Sequence, residues 1–209
     1  MKIDKPFYKS LLFLAIPVIL QNMVNSFINI LDTIMVGKLG EVAIASVGLG
    51  NQVFFFFNMI LFGITSGGGI FVAQYWGKKD IKNIRASVGI TIACSLGVSL
   101  IFFLAAQFIP KLILGFYSED ITVIELGAKY LKIAAWSYPI FAVSMVFSLA
   151  FRSTEQAKVP MVATIISLCT NALFNFLLIF GVAYNGTTII PRFGINGAAI
   201  ATVLSRIIE

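Results

Sequence analysis

Long apolar stretches alternate with short polar ones along this chain. Runs at about 11–36, 47–74, 86–108, 130–151 and 160–182 each reach the ~20 residues that a helix needs to cross about 30 Å of hydrocarbon. A sixth, 194–209, begins the same way and meets Glu209 early, so it looks truncated. None of the runs alternates strictly between apolar and polar, and a chain in lipid must bond its own backbone, so helices are expected rather than a barrel. The pattern predicts an all-α membrane protein, a six-helix transmembrane bundle with a short last helix and no soluble domain. The first run follows Lys2, Lys5 and Lys9, as a secretory signal would. Its length exceeds the ~7–15 residues of a signal core and no small-x-small site follows, so it reads as an uncleaved helix.

Polar residues inside the runs are patterned too. At ~100° per residue, Gln21, Asn22, Asn25, Ser26, Asn29, Asp32 and Thr33 fall within an arc of about 140°, and apolar residues fill the rest of the first helix. So wide a stripe is costly against lipid and is expected to face other helices or a water-filled cavity. One or two amides alone would read as glue between helices, at ~0.6–2 kcal/mol each. The fifth run repeats the pattern with Thr164, Ser167, Asn171 and Asn175, and the second carries a weaker stripe of Asn51, Asn58 and Thr65.

Composition agrees with this reading. The chain is 59% apolar and 11% charged, against roughly 45–50% and about 25% in soluble domains. Ten basic residues (Lys2, Lys5, Lys9, Lys78, Lys79, Lys82, Arg85, Arg152, Lys158 and Arg206) would flank one membrane side and five (Lys38, Lys111, Lys129, Lys132 and Arg192) the other, which predicts a cytoplasmic N-terminus. The net charge of +6 therefore reports topology, and nucleic acid is not an expected partner. Cys94 and Cys169 lie in separate runs without metal spacing, so neither a disulfide framework nor a metal centre is expected.

Asp32 stands apart among the nine acidic residues, being the only one well inside a run. Desolvation favours the neutral acid and a nearby cation favours the carboxylate, so such a group can exchange a proton for another cation. An intramembrane acid of this kind is a functional-site candidate by default. Ser66-Gly67-Gly68-Gly69 lacks the ending of a phosphate loop and reads as a close helix approach. Pro17 and Pro139 are candidate kinks, Tyr138 is a candidate cavity residue, and Asn185-Gly186-Thr187 fits a glycosylation acceptor.

Several short pieces occur together and in order: Pro17 with Gln21; Asp32-Thr33-Ile34-Met35-Val36-Gly37-Lys38-Leu39-Gly40; Gln74-x-x-Gly77; Arg152-Ser153-Thr154-Glu155-Gln156-Ala157-Lys158-Val159-Pro160-Met161; Asn171-x-x-x-Asn175; and Gly194-Ile195-Asn196-Gly197-Ala198-Ala199-Ile200-Ala201-Thr202. In these the chain resembles the multidrug and toxic compound extrusion (MATE) family of antiporters. The resemblance implies the N-terminal lobe of a twelve-helix transporter built from two related lobes, with the C-terminal lobe as its missing partner. It further implies cation-coupled efflux of amphipathic, cationic drug-like compounds across the inner (plasma) membrane. The coupling ion, Na⁺ or H⁺, would take the place of any other cofactor. By similarity, the ion site would use Asp32, Asn171 and Thr202 with backbone carbonyls near Ile28 and Ala198, and Asn175 stands where some relatives carry an acid. Gln21, Asn25, Asn29 and Tyr138 would line the cavity. The competing readings are a lipid-linked-sugar flippase, against which stand the few basic residues inside the runs, and a non-transporting membrane subunit. An intramembrane enzyme would want paired aspartates or a His pair, whereas the chain has one intramembrane Asp and no His.

Overall fold

The computed structural model describes the backbone of residues 5–184 and 187–209, and their side chains except those of residues 5–11, 13, 14, 25, 28, 29 and 182–189. Among these the chain forms helices α1 (Lys5–Gly37), α2 (Glu41–Gly77), α3 (Ile81–Phe108), α4 (Pro110–Gly115), α5 (Ile121–Ala134), α6 (Ser137–Ser153), α7 (Lys158–Phe180) and α8 (Ile195–Ile208). A short hairpin of β1 (Val182–Tyr184) and β2 (Thr187–Ile190) joins α7 to α8.

Local chemistry sets several of these boundaries. Asp80 caps α3 by accepting from the Asn83 N–H at 3.1 Å, and Asp120 caps α5 by accepting from the Thr122 and Val123 N–H groups. The turns after α2 and α6 are built alike. Lys79 and Glu155 adopt left-handed backbone, with φ of 57° and 64°. Asp80 N–H then reaches back to Tyr75 O at 3.0 Å and Gln156 N–H to Phe151 O at 2.8 Å, the Schellman closure of a helix end.

The spans differ from expectation in one place. Helices α2, α3 and α7 are each long and apolar enough to cross a membrane, but the run at 130–151 straddles the break of a longer span, in which α5 and α6 meet at 53°. The stretch 109–130, expected as a connection, contains α4 and most of α5. Pro139 accounts for the break: its ring collides with the carbonyl four residues earlier, at Ala135, where the helix is interrupted. Helix α1 has 33 residues, with Ala15–Val24 as its described apolar segment. Helix α8 has 14 residues and rises only about 21 Å. The hairpin was not expected, and the Asn185-Gly186 acceptor pair lies outside the described residues.

Helix α2 packs on α3, α5 and α6, while α7 packs on α1 and α8. Phe57, Leu61, Leu114, Leu131, Tyr138 and Ala142 form one core. Val36, Ala43, Tyr130, Ala134, Ile179 and Ala198 form a second among α1, α2, α5, α7 and α8. Phe55, Phe62, Ile70, Ile101 and Phe176 stay exposed, as apolar residues facing lipid would.

Candidate cation site

Two glycines bring the elements of the site together. A Cβ on Gly197 would lie 2.6 Å from the Leu178 carbonyl oxygen, so α8 approaches the α7 backbone only because that position lacks one. A Cβ on Gly50 would lie 2.6 Å from the ring of Tyr130, so this ring rests directly on the α2 backbone.

The polar stripe of α7 is buried along its length, with Thr164, Ser167, Asn171 and Asn175 each 7% exposed or less. Near the C-terminal end of α1 it meets Asp32. Asn175 Nδ2 donates to Asp32 Oδ1 at 2.7 Å and to Asn171 Oδ1 at 3.1 Å. With its oxygen and nitrogen exchanged, the Asn171 amide donates to the two Asp32 oxygens at 3.1 and 3.3 Å instead of accepting from Asn175. Asn175 Oδ1 is buried without a partner, an acceptor facing no donor. On α8, Thr202 Oγ1 donates to the Ala198 carbonyl at 3.0 Å, and Ser205 Oγ lies 3.4 Å from Asn171 Nδ2.

The structure thus gathers Asp32, Asn171 and Asn175 into one hydrogen-bonded group, with Thr202, Ala198 and Ser205 on the neighbouring helix. Every ligand-type atom in it is an oxygen or amide, the donor set of a hard cation. The ion pairs among the described residues are Lys111–Glu125 and Arg206–Glu209, so no described base pairs with Asp32. Ile28, Asn25 and Asn29 lie outside the described side chains.

Two cavity expectations are corrected. Tyr138 is 1% exposed and stacks on Phe57 with ring centroids 4.7 Å apart, so it belongs to the apolar core and lines no open space. Gln21 is buried as well: its Nε2 donates to Thr164 Oγ1 at 2.6 Å, and its Oε1 accepts from Arg152 at 2.6 Å. The α1 stripe therefore divides. Gln21 and Asp32 turn toward α7, while Asn22, Ser26 and Thr33 are exposed.

Sequence reasoning missed Tyr130. It is 6% exposed, and it lies beside Thr202 and Asp32. It stood at the very start of the expected fourth run, where the connection ended, because the broken span hid α5. Only its position four residues before Ala134, facing the same apolar core, could have pointed inward.

The MatE family model matches residues 17–177. The chain belongs to the MatE family. It is similar to the probable multidrug resistance protein YoeA of Bacillus subtilis, 27% identical over 201 residues that make up 96% of this chain and 42% of that protein. It is also similar to the probable multidrug resistance protein NorM of Rhizobium meliloti, 31% identical over 200 residues, 94% of this chain and 41% of that one. The fold matches a MATE family multidrug resistance transporter of the MOP superfamily, caught in an outward-facing conformation, with a TM-score of 0.83 at 22% identity, covering 96% of this chain and 42% of that one. This MatE chain is a multi-pass membrane protein, and it spans less than half the length of the relatives it matches.

Proposed function

We propose that this chain is the N-terminal lobe of a cation-coupled multidrug efflux antiporter of the inner (plasma) membrane, with its N-terminus in the cytoplasm and a C-terminal lobe as partner. In this reading Asp32 takes up Na⁺ or H⁺ from outside. Asn171, Asn175 and Thr202, with the Ala198 carbonyl, complete the oxygen cage. Cation entry reorders the hydrogen bonds between α1 and α7, which changes how α1 borders the central cavity and favours release of an amphipathic, cationic drug-like compound to the outside.

The observation that carries this is the pairing of Asp32. Its partners among the described residues are amides, which offer both N–H and C=O, and no described base pairs with it. A carboxylate so placed is stabilised by whichever cation arrives, and one already neutralised by lysine or arginine would have no such need. Membership of the MatE family and the names of the relatives point the same way.

The test is export of a fluorescent cationic dye by cells expressing the complete transporter, with Asp32→Asn compared with wild type. The variant is expected in the membrane in normal amount with export at background. Dye export against its gradient at the wild-type rate would overturn the assignment. Imposing a Na⁺ or a pH gradient across proteoliposomes then identifies the coupling ion.

A further inference from the structure

The turn between α2 and α3 carries charge that the transport reading does not use. Lys78, Lys79, Lys82 and Arg85 lie within eight residues, and all four are exposed. The one acid among them, Asp80, is committed to its own helix end, accepting from both the backbone and side-chain nitrogens of Asn83 at 3.1 and 2.5 Å. Neither ion pair of the described residues involves these four cations.

Three basic residues elsewhere are occupied. Lys111 bonds Glu125 at 2.7 Å, Arg206 bonds Glu209 at 2.6 Å, and Lys38 sits 5.6 Å over the ring of Phe180. The turn therefore concentrates four exposed cations around a single acid at the tip of two long apolar helices. Lys82 and Arg85, three apart on α3, share one face. Trp76 and Ile81 flank the turn, 36% and 48% exposed, and tryptophan at such a helix end favours the headgroup layer. Lys79 holds a left-handed backbone, φ 57°, a conformation that glycine adopts at less cost.

We propose that this turn binds the headgroups of anionic phospholipids, with Trp76 set at the interface and the four cations around the lipid phosphates. The charge complementarity is that of a polybasic segment at a helix end against an anionic leaflet. The site acts on whichever side the turn emerges, so it stands or falls separately from the transport reading.

The test places the protein in nanodiscs of phosphatidylcholine containing a minor share of phosphatidylglycerol, with a headgroup-proximal quencher carried by one lipid or the other. Trp136→Phe leaves Trp76 as the reporter, the chain having two tryptophans. Quenching of Trp76 is expected to favour the phosphatidylglycerol-borne quencher. The preference should fall about fivefold for each charge removed and collapse in molar salt. Lys79→Gly is the informative single variant, because it deletes a charge where the backbone prefers glycine and folding is spared. The variant with all four replaced, Lys79 by Gly and the others by Gln, should show no preference. Equal quenching by the two lipids in wild type, a preference that survives the fourfold replacement, or displacement by inorganic phosphate as readily as by lipid would each overturn the proposal.

Discussion

Helices α1, α7 and α8 share two polar clusters, one around Asp32 and one around Gln21, and the two are wired differently. In one, Asp32 is held by the amides of Asn175 and Asn171, with Thr202 and Ser205 beside them. In the other, Gln21 links Arg152 on α6 to Thr164 on α7, Thr164 Oγ1 lies 3.4 Å from Glu209, and Glu209 bonds Arg206. The second cluster contains both signs of charge: Arg206 pairs with Glu209, while Arg152 is bonded by Gln21 and keeps its Nε buried without a partner. The first has one acid and only neutral partners. A paired, hydrogen-bonded charge in low dielectric is held in place because separating it exposes both ions. An acid among amides has no such lock, so the same three helices are clamped at the Gln21 end and left responsive at the Asp32 end.

The most severe way to break this contrast is to give Asp32 a base. Asn175→Lys would place an ammonium where the 2.7 Å amide bond now sits, converting the responsive end into a second clamp. Coupled export in the complete transporter is expected to drop to background, with thermal stability held or raised. Wild-type export from this variant would show that the charge state of Asp32 is irrelevant.

Breaking the clamp should do the reverse. Arg152→Leu leaves the buried Gln21 oxygen without its 2.6 Å donor, at about 1–3 kcal/mol for the unsatisfied group. The expected result is a lower unfolding temperature with cation binding at the Asp32 end unchanged. A loss of cation affinity equal to that of Asp32→Asn would mean that the two ends are not independent.

The Asp32 end was largely legible in the residue pattern and the Gln21 end was not. Asn171 and Asn175 recur one turn apart on an apolar helix, and Asp32 ends a polar stripe, so period alone puts them on buried faces. Arg152 and Glu209 each occupy an ordinary place at or near a helix end, where a charge needs no explanation, and Thr164 stood in the α7 stripe without a sign of what it bonds. Only three-dimensional contact joins them through Gln21, which the stripe had assigned to a cavity. The fold shows the same division. Long apolar runs marked the helices, but the break at Ala135 depends on a proline whose clash acts four residues upstream, and it concealed α5 and with it Tyr130.

The smallest expected effect tests whether Tyr130 belongs to the Asp32 end at all. Its ring is packed on Gly50 and its hydroxyl on Thr202. Tyr130→Phe keeps the packing and removes only the hydroxyl beside Thr202, about 1 kcal/mol or roughly fivefold in cation affinity, with little change in unfolding temperature. Gly50→Ala keeps the hydroxyl but drives a Cβ to within 2.6 Å of the ring, which has to move off the α2 backbone. If the hydroxyl acts by its position, both variants weaken cation binding in a competition assay, and only Gly50→Ala also lowers stability. If Tyr130 merely fills space, Gly50→Ala alone has an effect, Tyr130→Phe binds cation as wild type does, and the responsive cluster shrinks to α1, α7 and α8.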